Sequence, residues 1–172
     1  MPDLTAFLAR RRVALGFVAA VAGVVLAQPT WSSWAMGLAV ALTGEALRIW
    51  AAGHLEKGRE VTRSGPYRLM RHPLYAGSSL MALGVVVASR SLVLGALAVL
   101  YLGATITAAI RTEEAFLRRT FGETYERYAR SHAAPMARRF SLARAARNRE
   151  YRAVVGLLVG FALLALKIVL SI

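Results

Sequence analysis

Residues 63–77 carry the side chains of this chain that are best suited to chemistry. The segment, RSGPYRLMRHPLYAG, lies between two apolar stretches and holds His72 between two tyrosines. An acidic pair, Glu113 and Glu114, follows just past the next apolar hairpin. An imidazole can act as a general base near neutral pH, and carboxylates accept hydrogen bonds from a polar ligand. This order predicts a polar site at the mouth of a membrane-embedded helix bundle.

The composition predicts apolar spans joined by basic loops. Hydrophobic residues make up 57% of the 172-residue chain, yet it holds 22 lysines and arginines against 9 acids. The mean hydropathy is +0.49, which is high for a soluble globule. The cations lie at the ends of apolar runs with no nucleic-acid-binding module beside them, so we expect no nucleic-acid partner. The chain has no cysteine, which excludes disulfides, thiolate metal sites and a cysteine nucleophile, and we expect no metal.

Apolar runs predict an all-α bundle with five membrane spans and one cytosolic amphipathic helix. Several runs are shorter than the ~20 residues that cross a bilayer straight, but flanking aromatic and cationic side chains can extend them. The runs cover residues 13–27, 31–52, 74–88, 92–110 and 153–170. The third and fourth, joined by residues 89–91, read as a tight helical hairpin.

The distribution of cations predicts the orientation. Among all lysines and arginines, only Arg90 and Lys167 fall on the opposite side from the rest. Because cytoplasmic loops carry the excess of cations, we expect a cytoplasmic N-terminus and an external C-terminus in a bacterial inner membrane. The first run, with arginines before it and Val25-Leu26-Ala27 at its end, also fits a cleavable signal peptide. Cleavage would leave the orientation of the other four spans unchanged.

The first polar segment, residues 53–72, is interpreted as a shaped loop that leads into the third span. Ser64-Gly65-Pro66 is typical of a turn. Pro73 suits the first position of a helix and biases His72 toward an extended conformation. The free N–H groups at that helix start predict an anion site. Gly77, one turn later, would let a ligand or a neighbouring helix approach, although each feature alone also fits an ordinary membrane helix.

Helix spacing separates the two acids of the second polar segment. Glu114 can pair with Arg118 at i,i+4, whereas the residue four positions after Glu113 is Leu117. An unpaired carboxylate near a membrane interface is costly unless a ligand uses it, so Glu113 is the candidate binding group. Arg111 is ambiguous, because a cation at a helix C-terminus is favourable in itself and could also contact an anionic substrate.

Aromatic and charged positions beyond the acids predict a surface helix over residues 111–130. It would lie on the membrane or close over the site, and Gly122 would bend it. Its apolar side carries Leu117, Phe121, Tyr125 and Tyr128. The following tail, residues 131–152, holds six cations, for which contact with lipid headgroups is the simple interpretation.

Two ionisable residues interrupt the second span. Glu45 and Arg48 are three positions apart, and ionisable residues inside a membrane face the bundle interior. They could pair with each other or orient a substrate, so we treat both as candidate substrate-binding residues. His54, at the same mouth, could line a cofactor pocket, act as a base or simply reach the interface.

The run GPY…RHPxYxG, followed by EE and FGxxYxxY, resembles the isoprenylcysteine carboxyl methyltransferase and phospholipid methyltransferase superfamily. The resemblance covers about residues 51–130 and implies one integral membrane methyltransferase domain over residues 1–172. Its members have a helix bundle with a cytosol-facing pocket for S-adenosylmethionine and a lipid-facing substrate tunnel. The resemblance therefore implies S-adenosylmethionine as cofactor and a lipophilic or small methyl acceptor.

Residue by residue, the resemblance assigns most of the site. It implies cofactor contacts at Arg59, Glu60, Val61, Thr62, Tyr67, His72, Pro73, Leu74, Tyr75 and Glu113. His72 and Glu113 are also the candidate catalytic residues. A substrate-contacting arginine of the eukaryotic branch would fall near Ala109, which leaves Arg111 as a displaced candidate. The alternatives are a non-catalytic transporter subunit or lipid-binding protein, and a sterol-reductase-like enzyme that uses NADPH.

Overall fold

The computed structural model describes residues 23–170, and this part of the chain contains helices and no strands. Residues 23–26 are helical. The elements that follow are α1 (Trp31–Ala52), a 3-10 turn (Gly65–Arg68), α2 (Pro73–Ser89), α3 (Leu92–Phe121), α4 (Glu123–Ala129), α5 (Leu142–Arg147) and α6 (Tyr151–Leu170). The prediction of an all-α bundle is confirmed.

Three of the described helices, α1, α3 and α6, are long and apolar enough to cross a membrane, and α2 is a shorter apolar helix. They correspond to four of the five predicted spans. The first predicted span lies mostly outside the described residues. The main difference in length concerns α3, which continues past residue 110 to Phe121. The membrane helix and the first half of the predicted surface helix therefore form one continuous helix, which ends where Gly122 adopts a φ of 47°.

Local sequence signals explain where the helices begin. Thr30 and Ser33 form a reciprocal capping box at the start of α1, with N···O distances of 3.2 and 3.0 Å. Pro73 is the first residue of α2, as predicted. The Ser91 hydroxyl accepts a hydrogen bond from the Leu94 amide at 3.2 Å and so caps α3. Each such cap is worth about 1 kcal/mol.

Small residues let α1 and α2 pack closely. A Cβ atom added to Gly84 would lie 2.5 Å from the Gly37 carbonyl oxygen, and one added to Gly77 would lie 2.7 Å from the Gly44 carbonyl oxygen. The Ser33 hydroxyl also donates to the Ala88 carbonyl at 3.0 Å. Close backbone approach of this kind is typical of membrane helix pairs, where lipid tails compete with apolar side chains. The prediction that Gly77 admits a neighbouring helix is confirmed.

We expect Gly84→Ala to lower the stability of the protein, because the added methyl group must displace the α1 backbone. Overpacking of this kind costs about 1–3 kcal/mol. Gly156→Ala in α6 is the matched control, since an added Cβ there meets no described atom within 4 Å and alanine favours the helix by about 1 kcal/mol. Thermal unfolding of both variants in detergent checks the prediction. Equal melting temperatures would contradict it.

The helices run antiparallel, so their polar connections gather at one end of the bundle. There α1 and α3 end, while α2 and α6 begin, and we call this the polar end. At the opposite end, the Lys167 ammonium donates to the Val24 and Val25 carbonyls at 2.9 Å each. The Trp34 indole donates to the Phe161 carbonyl at 2.8 Å and joins α1 to α6.

Residues 136–150 run back across the polar end, and we call them the strap. The strap donates hydrogen bonds to the carbonyls at the end of α1, which have no partner within the helix. The Asn148 side-chain amide donates to the Ala52 and Leu55 carbonyls at 2.8 and 2.9 Å. The Arg144 guanidinium and the Ser141 amide both donate to the Gly53 carbonyl, at 2.6 and 3.1 Å.

Three arginines of the strap bind carboxylates of the first polar segment, which lie too far away in sequence for local spacing to predict. Arg138 binds Glu60 through two parallel hydrogen bonds of 2.6 and 2.7 Å. Arg144 lies 2.7 Å from the Glu56 carboxylate, whose pKa is lowered chiefly by this hydrogen bond. Arg147 lies 3.5 Å from the same carboxylate. Arg138 and Arg144 are mostly buried in these contacts, so their role is structural, and the lipid-headgroup contact stays a prediction for Arg147 and the other exposed arginines.

Candidate active site

The loop before α2 is shaped by a glycine and a buried tyrosine. Gly65 adopts a φ of 55°, which confirms the predicted turn and favours glycine. A Cβ atom there would also meet the His54 ring at 2.5 Å. Burial raises the pKa of Tyr67, and the negative charge of Glu113 raises it further. Tyr67 therefore stays protonated at neutral pH and can donate a hydrogen bond.

His72 lies between the two acids of α3. Its Nε2 atom is 3.1 Å from Oε1 of Glu114, and its Nδ1 atom is 4.0 Å from Oε2 of Glu113. His72 caps no backbone amide of α2, and its φ of −129° and ψ of 59° leave the helical region. The ring also lies 5.9 Å from the Tyr75 ring, centroid to centroid. The structure thus brings His72 and Tyr75 together with Glu113, as the sequence predicted.

Glu114 is the most heavily engaged carboxylate at the polar end. It accepts hydrogen bonds from Arg118 and Arg71 at 3.1 Å each, besides its contact with His72. Its side chain is only 14% exposed. The predicted i,i+4 pair with Arg118 is confirmed. The partners Arg71 and His72 were missed, because they lie more than forty positions away in sequence and no local spacing marks them.

Glu113 differs from Glu114 in its surroundings. Its side chain is 42% exposed, and no charged donor lies within hydrogen-bond distance of it among the described residues. Its carboxylate lies beside the His72 ring and contacts the Tyr75 hydroxyl, but it lacks a cationic hydrogen-bond donor. This arrangement fits a ligand that offers hydroxyl or ammonium donors.

The segment after Gly122 folds over the loop rather than away from it. Tyr128 of α4 donates its hydroxyl hydrogen to the Tyr67 carbonyl at 2.8 Å, and burial raises the pKa of Tyr128 to about 12. The Arg118 guanidinium lies 5.7 Å above the Tyr125 ring. Of the two predicted roles for this segment, closing over the site is therefore the one that the contacts favour.

Arg48 is saturated by contacts within the protein. Its Nε atom donates to Oε1 of Glu150 at 2.6 Å, while Nη1 donates to the Ser78 hydroxyl and, at 3.4 Å, to the Leu74 carbonyl. Glu45 is a secondary partner, with its Oε2 atom 3.9 Å from Nε of Arg48. Glu45 is buried, and neither of its carboxylate oxygens has a hydrogen-bond partner in the described part of the chain. The predicted pairing of Glu45 with Arg48 is thus present but weak.

The remaining predicted residues fall into separate groups. Arg59 is exposed, Val61 and Thr62 are buried, and Glu60 is bound to the strap.

Pro73 and Leu74 form the first turn of α2, where the Tyr75 and Ala76 amides already donate to the His72 carbonyl. The predicted anion site is therefore reduced to the Leu74 amide. Arg111 is exposed, and His54 is buried with Nδ1 2.9 Å from the Trp50 carbonyl.

An apolar groove of about 450 Å³ lies between α2 and α3. Its described lining is Ser79, Ala82, Leu83, Val86, Gly95, Ala98, Val99, Leu102, Gly103, Ile106 and Thr107. Helical spacing places Tyr75 one turn before Ser79, and Glu113 two turns after Ile106, on the faces that line the groove. The groove therefore leads along the membrane helices toward the His72 cluster.

Among residues 23–170, no three side chains of the types His, Asp and Glu gather so that they could hold a metal ion.

Comparisons with known proteins relate the chain to methyltransferases and to metal-resistance proteins. It is 31% identical over 140 residues to the nickel-cobalt-cadmium resistance protein NccN of Alcaligenes xylosoxydans xylosoxydans, covering 74% of this chain and 65% of that one. It is 38% identical over 97 residues to the cobalt-zinc-cadmium resistance protein CzcN of Cupriavidus metallidurans, covering 55% and 43%. A probable protein-S-isoprenylcysteine O-methyltransferase of Oryza sativa subsp. japonica is 33% identical over 111 residues, 58% of each chain.

The chain spans less than two thirds of the length of these relatives. No solved structure matches it. The model of one protein family, described as phospholipid methyltransferase, matches residues 12–124. That match contains α1, the loop with Tyr67 and His72, the α2–α3 hairpin and both acids, and it covers more than half of the chain. The chain belongs to the phospholipid methyltransferase family.

Proposed function

We propose that this integral membrane protein transfers a methyl group from S-adenosylmethionine to a lipophilic or small acceptor. The observation that carries the proposal is the meeting of His72, Tyr75 and Glu113 at the polar end of an apolar groove. A membrane-embedded acceptor could approach along the groove while a polar cofactor enters from the other side. We further propose that the polar end faces the cytoplasm, because the cations of the described residues, apart from Arg90 and Lys167, lie on the segments at that end.

The side chains present fit a cofactor with an amino-acid end and a ribose. Glu113 offers a half-exposed carboxylate without a cationic donor to ammonium or hydroxyl groups, and the Leu74 amide offers one donor to a carboxylate. Tyr67, Pro73 and Tyr75 would form the walls, and residues 59–62 would contribute backbone groups.

The chemistry places modest demands on the protein. Bound S-adenosylmethionine supplies an activated methyl group, so the task of the residues is to position the acceptor and exclude water. A carboxylate or thiolate acceptor needs no base. A phenol or an amine loses a proton, and His72 is the candidate to accept it because Glu114 orients its ring. Glu45 and Arg111 are proposed to face the polar part of the acceptor.

We expect the purified protein to bind S-adenosylhomocysteine and not NADPH. The half-exposed Glu113 carboxylate and the small polar site suit an amino-acid nucleoside, whereas a dinucleotide would bring several phosphates toward that acid. Titration calorimetry in detergent measures both ligands. Incubation with radiolabelled S-adenosylmethionine and a host lipid extract then identifies the labelled acceptor. Binding of NADPH without S-adenosylhomocysteine would overturn the proposed cofactor, and binding of neither would favour a non-catalytic protein.

A further inference from the structure

Glu150 reaches the centre of the polar end from a part of the chain that the family match does not include. The match ends at residue 124, and Glu150 lies at the end of the strap, just before α6. Glu150 is only 6% exposed. Its Oε1 atom accepts the 2.6 Å hydrogen bond from Nε of Arg48, a charge-assisted contact between α1 and the strap.

The other contacts of Arg48 lead to the first turn of α2. Its Nη1 atom donates to the Leu74 carbonyl at 3.4 Å and to the Ser78 hydroxyl, which itself donates to the Leu74 carbonyl at 3.0 Å. Leu74 lies between Pro73 and Tyr75, in the turn that presents groups to the proposed cofactor. The guanidinium therefore joins the strap to this turn.

Gly77 makes this path possible. A Cβ atom added to Gly77 would lie 2.5 Å from Cγ of Arg48, so the arginine side chain crosses α2 where α2 has no side chain. The glycine of the RHPxYxG motif thus provides space for the arginine. Hydrogen bonds to Glu150 from Nε and to the Ser78 hydroxyl and the Leu74 carbonyl from Nη1 hold the guanidinium in one orientation. Losing Glu150 would leave this buried charge without its main partner, which is costly.

We propose that Glu150 is a positioning residue for cofactor binding. By holding Arg48 against the Leu74 carbonyl and the Ser78 hydroxyl, it fixes the direction of the first turn of α2. This inference rests on the proposed function, since it assigns the turn to the cofactor. It makes the strap part of the site through Arg48, and it requires no contact between Glu150 and the ligand.

Glu150→Gln tests the inference, with S-adenosylhomocysteine as the probe in titration calorimetry. We expect its dissociation constant to rise roughly three- to tenfold, less than for a group that contacts the ligand. Glu123→Gln is the matched control, because Glu123 binds Arg127 at an exposed position and should leave the affinity unchanged. Wild-type protein that binds the probe while Glu150→Gln binds it equally well would overturn the inference and leave the proposed function standing. Wild-type protein that does not bind overturns both.

A double substitution separates positioning from stability and covers the case in which Glu150→Gln fails to fold. Replacing both members of a buried ion pair with apolar residues often restores stability. Arg48→Met with Glu150→Leu should therefore melt near the wild-type temperature, yet it still lacks the donors for Leu74 and Ser78. We expect it to bind the probe more weakly than wild type. Recovery of both stability and affinity would assign the pair a merely structural role.

Discussion

Glu113→Gln is expected to weaken the binding of S-adenosylhomocysteine about ten- to hundredfold. The change replaces a charged acceptor with a neutral one, and a hydrogen bond to a charged group is worth about 1.5–3 kcal/mol. Because the Glu113 side chain is 42% exposed and its nearest charged partner, Nδ1 of His72, is 4.0 Å away, the stability of the protein should barely change. Titration calorimetry and thermal unfolding of the same sample measure both quantities. An undiminished affinity would remove this carboxylate from the cofactor site.

Glu114→Gln is expected to lower the stability of the protein more than its affinity for the cofactor. This carboxylate accepts hydrogen bonds from Arg71 and Arg118 and anchors His72. Glutamine keeps the shape but loses the charge and one acceptor oxygen. Both arginines are about half exposed, so solvent weakens these ion pairs. We therefore expect the free energy of unfolding to fall by about 1–3 kcal/mol.

Chemical denaturation in detergent measures the loss, with Glu123→Gln as the control for an exposed pair. A smaller decrease in cofactor affinity should accompany it, because His72 and the loop lose their anchor. If the two glutamates gave the same profile of affinity and stability, the division of roles between them would be contradicted.

The helices could be predicted because their signals are local. Apolar runs, Pro73 at a helix start and the turn at Ser64-Gly65-Pro66 act within a few residues, and the structure reproduces them. The pair between Glu114 and Arg118 was predictable for the same reason, since i,i+4 spacing sets the distance. Even the continuation of α3 past residue 110 agrees with the helical pattern on both sides of that point.

The rest of the site depends on which distant charges meet, and spacing cannot decide that. Arg48 lies three positions from Glu45, yet it binds Glu150 more closely. Glu60 could have served the cofactor through its side chain, but Arg138 occupies that carboxylate. With 22 cations and 9 acids, every acid has several possible partners, and only the folded backbone selects one.

The ion pair between Arg48 and Glu150 also has a consequence for the timing of biosynthesis. The two residues are 102 positions apart, so Arg48 enters the membrane with α1 long before its partner exists. At roughly 5–20 residues per second, translation leaves it without Glu150 for about 5–20 s, with only the distant contact to Glu45 available. During that interval Glu150 does not yet hold Arg48 against the first turn of α2, and the strap has not yet covered the end of α1. The nascent chain therefore completes this end of the bundle only after Glu150 has been synthesised.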